Sequence, residues 1–537
     1  MRLASLLWMY GRFIRGLRPF LRDTVTAEGA RAAVKRRLAE REATLIHVAE
    51  RGFFGAPRSP YGELFRIAGC DFADFRRLVL DRGVEDALRD LRAAGVFFTF
   101  EEFKGRVPVV RAGREIAVRP SDFDNPWLSH YLQRTTSGTT GLGTRVSTDL
   151  DHLALEAEHR LLCLEAHGVL EAPYALWRPP LPAGSGINSV LRGARIGRPP
   201  VRWFTPLQAE AFRPPLRHRL ANRAILLAGR ALGAALPDPE PVPLDDAVRI
   251  AGWMAEARDA HGGALVNTTV SGGARVGLAA HAAGIDLTGT AFMVAGEPAS
   301  PAKVRSIRSA GARHFTDYGM AEAGRLGSGC ARAQDENDVH VMLDAYAVIT
   351  WPREVPVAGE RLESFHITHL HPAASKLLLN VEFDDYGTLE ARACGCPLEA
   401  LGLRTHLRGI QSFGKLTGEG VSLVGSEMVH ILEEVLPARF GGSPLDYQMV
   451  EQEDDAGLTR LTLRVHPAVA LSAEAAVLEA VHDALARESL AAGVARAFWR
   501  QAGTLRVERA EPHVGARGKQ LPLYSALRHP KREETEE

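Results

Sequence analysis

The chain has 537 residues, 46% of them apolar and 24% charged, with 65 Lys+Arg against 65 Asp+Glu. That length calls for more than one domain, the composition is that of a globular protein, and a formal charge of zero excludes a polyanion such as nucleic acid as the main partner. No apolar run reaches the length of a membrane span, so no transmembrane segment is expected. The start, MRLASLLWMYGRFIRGLRPFLR, carries arginines throughout and lacks a small-residue cleavage site, so it does not read as a signal peptide. Five cysteines are too few for a disulfide framework and fit a reducing cytoplasm.

Residues 1–110 read as an N-terminal helical segment. At its start Leu3, Leu6, Leu7, Tyr10, Phe13, Ile14, Leu17 and Leu21 follow helical spacing, with Arg12, Arg15, Arg18 and Arg22 among them. Such a stripe either faces the chain's own core or lies on a membrane or partner as a basic amphipathic helix. From 111 to 410, β-like runs (VPVVRAG, AFMVAG, YAVITW) alternate with Ala-rich helical segments, the pattern of an α/β domain. Pro- and Gly-rich loops interrupt it at PPLPAGSGIN, IGRPPVRWFTP and LPDPEPVPLDD. From 411 to 537 the runs DYQMVEQ, LTRLTLRVHP, AEAAVLEAVHDALARESL and LRVERAEP suit a small α+β unit that ends in a solvated tail. The fold class expected is therefore α/β, a large multi-layer domain followed by a small α+β domain.

Three motifs carry chemistry. In Thr135-Thr136-Ser137-Gly138-Thr139-Thr140-Gly141 every position is a hydroxyl side chain or a glycine, a loop whose N–H and O–H groups can wrap phosphate oxygens. No Gly-Lys-Ser/Thr follows, so it is not a Walker A loop. Gly296-Glu297-Pro298 follows the apolar run AFMV, which places backbone at a sheet's carboxyl edge, where α/β enzymes bind nucleotides. In Asp317-Tyr318-Gly319-Met320-Ala321-Glu322, Tyr318 offers a flat face for a base, Gly319 a close backbone approach, and Glu322 a hard oxygen for Mg²⁺.

In this order the motifs resemble the adenylate-forming (ANL) superfamily, and among its branches the phenylacetate–CoA ligases and the related acyl-protein synthetases. The resemblance runs from about residue 90 to 520. It adds a ribose-binding aspartate, Asp385 in Phe383-Asp384-Asp385-Tyr386-Gly387, and a hinge in GKLTGEGVSLVGSEMVHILEEVLP leading to a mobile lid. It also adds a catalytic lysine, Lys519 in Gly515-Ala516-Arg517-Gly518-Lys519. The chain departs from the pattern at Leu142 and Gly143, where Pro-Lys often follows, and at Lys415, where the hinge usually has arginine. Lysine cannot form a bidentate arginine clamp, so Arg404 and Arg408 are the nearby candidates for ribose or phosphate, and Arg408 enters the ATP set.

The resemblance implies two half-reactions: a carboxylate attacks the α-phosphorus of ATP, and an acceptor then takes the acyl group and releases AMP. Thr139 and Thr140 would hold phosphates, Glu322 would hold Mg²⁺, and Lys519 would bridge the α-phosphate and the carboxylate. The acceptor expected is a thiol, CoA or a carrier protein, acting on an aryl or acyl acid, and a homodimer is compatible with the branch. Amide formation, nucleotidyl transfer and an inactive nucleotide-binding scaffold are the alternatives. Cys330, His340, Cys394 and Cys396 would meet if neighbouring strands paired. They would then form a closed Cys₃His zinc site of the kind some members of the branch carry. Cys70 and Cys163 lie in apolar helical contexts and read as core.

Overall fold

The computed structural model describes residues 3–135, 145–207, 214–354, 361–413, 415–418, 421–471, 473–488, 490–513 and 522–525. Its first hundred residues are helical, from Leu3–Arg22 through Val84–Ala93 to the short Phe100–Phe103. Met9, Phe13, Leu17 and Phe20 of the first helix are buried, so its apolar stripe faces the protein's own core. Aromatic edges tie the helical layer to the β-rich body of the chain. Tyr61 and Phe98 lie 5.2 Å apart, Phe98 and Phe123 4.9 Å, and Phe103 reaches Phe383 on a later strand at 5.9 Å.

Among the described residues six strands form a parallel sheet, in spatial order Arg313–Thr316, Thr290–Val294, Ala264–Thr268, Tyr174–Trp177, Arg202–Thr205, Pro239–Pro241. Residues Tyr174–Trp177, Ala264–Thr268 and Thr290–Val294 are buried at every position, which is why they carry the apolar runs YALW, ALV and AFMV rather than an alternation. Strand order reverses between Tyr174–Trp177 and Ala264–Thr268, where consecutive connections leave toward opposite sides. At such a reversal, open α/β sheets bind ligands at the strands' carboxyl ends.

A second sheet of seven described strands is antiparallel, running Tyr318–Met320, Gly324–Gly329, Val339–Val341, Thr405–Ser412, Val381–Ala391, Arg361–His369, Tyr346–Glu354. Beyond it a smaller C-terminal unit pairs the hairpin Tyr447–Glu453/Thr459–Val465 with parallel edge strands Leu505–Arg509 and Leu523–Ser525, covered by Glu474–Glu488 and Leu490–Ala502. One apolar cluster runs from the parallel sheet (Phe204, Val266, Phe292) into this unit (Tyr447, Leu461, Trp499).

The two are also joined by a buried charge. Lys303 is 3% exposed, and its Nζ lies 3.1 Å from Glu297, 3.4 Å from Glu453 and 2.9 Å from the Thr459 hydroxyl. Ser300 donates to the other Glu453 oxygen at 2.6 Å. The backbone at Gly457 comes so close to the Lys303 helix that a Cβ there would sit 2.4 Å from Lys303 N. Removing the cation would leave two carboxylates facing each other out of water. Lys303→Met is therefore expected to destabilise the protein by about 3–5 kcal/mol, read from the denaturant midpoint; a change within about 0.5 kcal/mol would show the contact to be a surface pair.

Candidate nucleotide site and Cys/His cluster

The hydroxyl-rich motif is approached from an antiparallel pair, Tyr131–Thr135 with Arg145–Asp149, whose register ends at Thr135↔Arg145. Thr136, Ser137, Gly138, Thr139, Thr140 and Gly141 lie outside the described residues, as does Lys519. Asp149 accepts from the His130 and Asp151 N–H groups at 3.1 and 2.9 Å, so the strand turns directly into the helix Leu150–Ala166. That helix lays its first turns on the strand after Glu322. His152 sits where a Cβ on Gly324 would be, 2.3 Å from its Nε2, and Glu156 accepts from Arg325 N at 2.9 Å. Burial pushes Glu156 up, but Arg192 and His152 outweigh it and hold the carboxyl well below its ordinary range. The first motif's flanks thus abut the third motif.

The second motif follows the strand Thr290–Val294. Gly296 has φ +100, a conformation open to glycine at little cost. The Glu297 carboxylate accepts from the N–H and hydroxyl of Ser271, both at 2.8 Å, at the start of the helix Val270–Ala282, and it pairs with Lys303. Its acidity is committed to the protein, and what the segment Gly296–Pro298 presents to a ligand is its backbone.

Asp317 continues from the neighbouring strand, its N–H bonded to Val294 O at 2.8 Å and its carboxylate 2.7 Å from Arg325. Tyr318 donates to Asp385 Oδ2 at 2.9 Å, and Ser412 donates to the other oxygen. Tyr318 stands on the first strand of the antiparallel sheet and Asp385 on the fifth, so this bond requires the sheet to curl on itself. Burial, and next the Asp385 charge, push the Tyr318 phenol well above its ordinary range, so it stays a hydrogen-bond donor. Gly319 is required sterically, since a Cβ would meet Gly324 O at 2.5 Å. Glu322 is buried and pairs with Lys104 from the N-terminal helical layer.

The described residues therefore bring Gly296, Glu297, Pro298, Asp317, Tyr318, Gly319, Met320, Glu322 and Asp385 together along one edge. They do not bring Arg408 there. It bonds Glu390 at 2.8 and 3.0 Å, four residues before Ser412 on its strand, about 13 Å along an extended chain.

The cysteine cluster also forms. His340 Nε2 lies 3.0 Å from Cys396 Sγ and 3.6 Å from Cys394 Sγ, and Cys330 and Cys396 hydrogen-bond each other. The hydrogen bond from Cys330, followed by His340, holds the Cys396 thiol far below its ordinary range, while Cys330 is pushed up in turn. His406 joins the group. Its ligand atom, with those of Cys330, His340 and Cys394, falls within a 4.8 Å cluster, and it stands directly opposite His340 on the next strand.

Both histidines could offer Nε2 to a metal. His340 Nδ1 lies 2.7 Å from Leu403 O and His406 Nδ1 2.7 Å from Asp338, while His406 Nε2 is buried without a partner. Fixing Nδ1 in this way leaves Nε2 as the ligating atom. A tetrahedral zinc takes four thiolate and imidazole ligands with N···S edges of about 3.6 Å, and Cys330, His340, Cys394 and His406 are four donors whose ligand atoms lie within 4.8 Å of one another. Sequence spacing missed His406, Asp338, Lys104 and Ser412, because each joins its site through strand pairing or layer contact across a gap that no local pattern marks.

Neither a protein-family model nor a curated protein matches the chain. Among solved structures, a 2-hydroxyisobutyryl-CoA ligase in complex with 2-HIB-AMP and CoA, in the thioesterification state, is similar over 95% of this chain and 93% of its own, at 16% identity and TM-score 0.51. This chain has the fold of the adenylate-forming ligases. The amide bond synthetase McbA from Marinactinospora thermotolerans (14% identity, 93% and 98% covered, TM-score 0.30) also matches. So does an AMP-forming acyl-CoA synthetase/AMP-acid ligase II-like protein from Dyadobacter fermentans (13%, 73% and 87%, TM-score 0.29). Of these three, the CoA ligase alone passes 0.5, and the fold rests on it.

In this fold the Cys/His cluster belongs to the curled sheet: His340 and His406 stand on paired strands, Cys330 follows Gly324–Gly329, and Cys394 and Cys396 follow Val381–Ala391, the strand that carries Asp385. Protein prepared without chelator is expected to carry about one zinc per chain, with Cys394→Ser and His340→Ala losing both metal and thermal stability, as measured by metal analysis and thermal unfolding. Metal-free wild-type protein with unchanged melting in both variants would refute the site.

Proposed function

We propose that the protein is an ATP- and Mg²⁺-dependent carboxylate ligase of the phenylacetate–CoA ligase-like branch that makes an acyl-adenylate and passes the acyl group to a thiol, CoA or a carrier protein. The observation that carries this reading is the convergence of Gly296–Pro298, Asp317, Tyr318 and Asp385 on the carboxyl edge next to the strand-order reversal. The similar ligase's complex with 2-HIB-AMP and CoA supports the two-step order. The proposed organisation is a helical segment over 1–110, a nucleotide- and substrate-binding domain over 111–410, and a mobile domain over 411–537.

In the first step a carboxylate oxygen attacks the α-phosphorus, the bond to the β-phosphate oxygen breaks, and pyrophosphate leaves. Asp385, held by Tyr318 and Ser412, would accept the ribose hydroxyls, and the Thr/Ser/Gly segment would hold the β- and γ-phosphates. Glu322 is the residue that would hold Mg²⁺, which supplies charge neutralisation on the phosphates, once its carboxylate is released from Lys104. Lys519 would bridge the α-phosphate and the carboxylate. In the second step the thiol sulfur attacks the acyl carbon and loses its proton, the acyl C–O bond breaks, and AMP departs. Positioning and preorganised charge carry both steps. The Cys330/His340/Cys394/Cys396 group, with His406, would hold a structural zinc away from this chemistry.

The test is acid-dependent ATP–pyrophosphate exchange across aryl and fatty acids. Exchange is expected with the wild type. Thr139→Ala/Thr140→Ala is expected to suppress it with the fold intact, and Lys519→Ala to lower it about a hundredfold or more while still transferring acyl from synthetic acyl-adenylate. No exchange with any acid, or exchange untouched by both variants, would contradict the assignment.

A further inference from the structure

The helices Leu3–Arg22 and Leu216–Ala231 lie side by side and run in the same direction. Tyr10 feels the charge of Arg217 near one end, and Leu21 Cδ1 is 3.8 Å from the Cβ position of Gly229 near the other. Each turns an apolar face inward, Phe13 and Leu17 from the first and Ile225 and Leu226 from the second. Their outward faces are unlike the rest of the surface. On the second helix Leu216, Leu220 and Leu227 are 63, 58 and 53% exposed, and their spacing puts them on one line. On the first helix Trp8 is 58% exposed, with the Arg12 guanidinium 4.6 Å from its ring centre, and Arg15, Arg18 and Arg22 share the exposed side.

Charge on these helices is one-sided. Each contains four arginines and neither contains an Asp or Glu, in a chain whose acids and bases otherwise balance at 65 each. A row of outward leucines beside a tryptophan is costly in water and is a feature of docking faces. Arg230 pairs with Asp238 beyond its helix, while Arg15, Arg18, Arg22 and Arg223 are exposed and have no acid on their own helices to meet them, so their stems can lie along that apolar surface with the heads outward. Tryptophan and arginine around a leucine stripe suit a boundary between headgroups and acyl chains. The exposed side offers no row of Asn, Gln, Ser or Thr that would read a base edge or a defined peptide.

We propose that this two-helix face docks on an anionic lipid surface, with Trp8, Leu216, Leu220 and Leu227 entering the headgroup–acyl boundary and the arginines meeting lipid phosphates. The inference is independent of the ligase reading and bears on where the protein works, not on its chemistry.

Co-sedimentation with phosphatidylcholine vesicles, with and without phosphatidylglycerol, tests it on the full-length protein. Binding is expected to the anionic vesicles only, weakening as salt rises. Each arginine near such a surface is worth about a fivefold change in partitioning, so Arg15→Gln/Arg18→Gln/Arg223→Gln is expected to weaken binding about a hundredfold. Leu220→Ser/Leu227→Ser is expected to weaken it about tenfold or more with the unfolding midpoint unchanged, since both side chains are exposed. No binding at low salt, equal binding to neutral vesicles, or full binding by both variants overturns the proposal. Capture of an acidic carrier domain in place of vesicles, lost in the arginine variant, also overturns it and makes the face a protein-docking surface.

Discussion

A parallel sheet whose strand order reverses cannot cover all of its own carboxyl edge. Between Trp177 and Thr268 the connections leave to opposite sides, and the buried Arg178 guanidinium meets the Thr268 and Ala295 carbonyls beyond those strands. The candidate site depends on this constraint. Gly296 follows the next strand over and Asp317 the one after it, and the bond from Asp317 N to Val294 O holds the two segments level. The curled antiparallel sheet then closes over the same edge, because Tyr318 continues directly from Asp317 and reaches Asp385 four strands away.

Around this edge the acidic groups are paired by the protein. Glu297 is held by Lys303 and Ser271, Asp317 by Arg325, Glu156 by Arg192, and Glu322 by Lys104. Buried carboxylates left alone would protonate or draw water inward, so each cation keeps a charge in place and gives it one orientation. The pairing also links layers. Lys104 belongs to the N-terminal helices, and Lys303 reaches into the C-terminal unit through Glu453. Position of the small unit and shape of the Gly-Glu-Pro segment are thereby coupled through the Lys303 ammonium, beside the shared apolar cluster and the Ser300–Glu453 bond.

Much of this was legible in the residues. The apolar run before Gly296 marked a buried parallel strand, and the glycines marked real constraints, as the clash at Gly319 and the positive φ of Gly296 show. Cys394-Gly395-Cys396 and Cys330 with His340 pointed to a cluster that does assemble. What the sequence did not disclose depends on register and curvature. His406 faces His340 only because two strands 66 residues apart pair in that register, and Ser412 reaches Asp385 by the same kind of pairing. Arg408 stood near the hinge along the chain and so was a candidate for ribose or phosphate, yet its strand carries it toward Glu390. The first helix had two readings open. Its leucine and phenylalanine stripe went to the core, and its arginine face stayed outside.

The central claim is that a carboxylate attacks the α-phosphorus of ATP. It is tested most directly by following the oxygen of the acid. A substrate acid with both carboxylate oxygens isotopically labelled, turned over with ATP and a thiol acceptor, should transfer one label to AMP, because the bridging oxygen stays on phosphorus when the thiol attacks the acyl carbon. Label recovered in inorganic phosphate with ADP formed, or AMP released without label, would contradict the account.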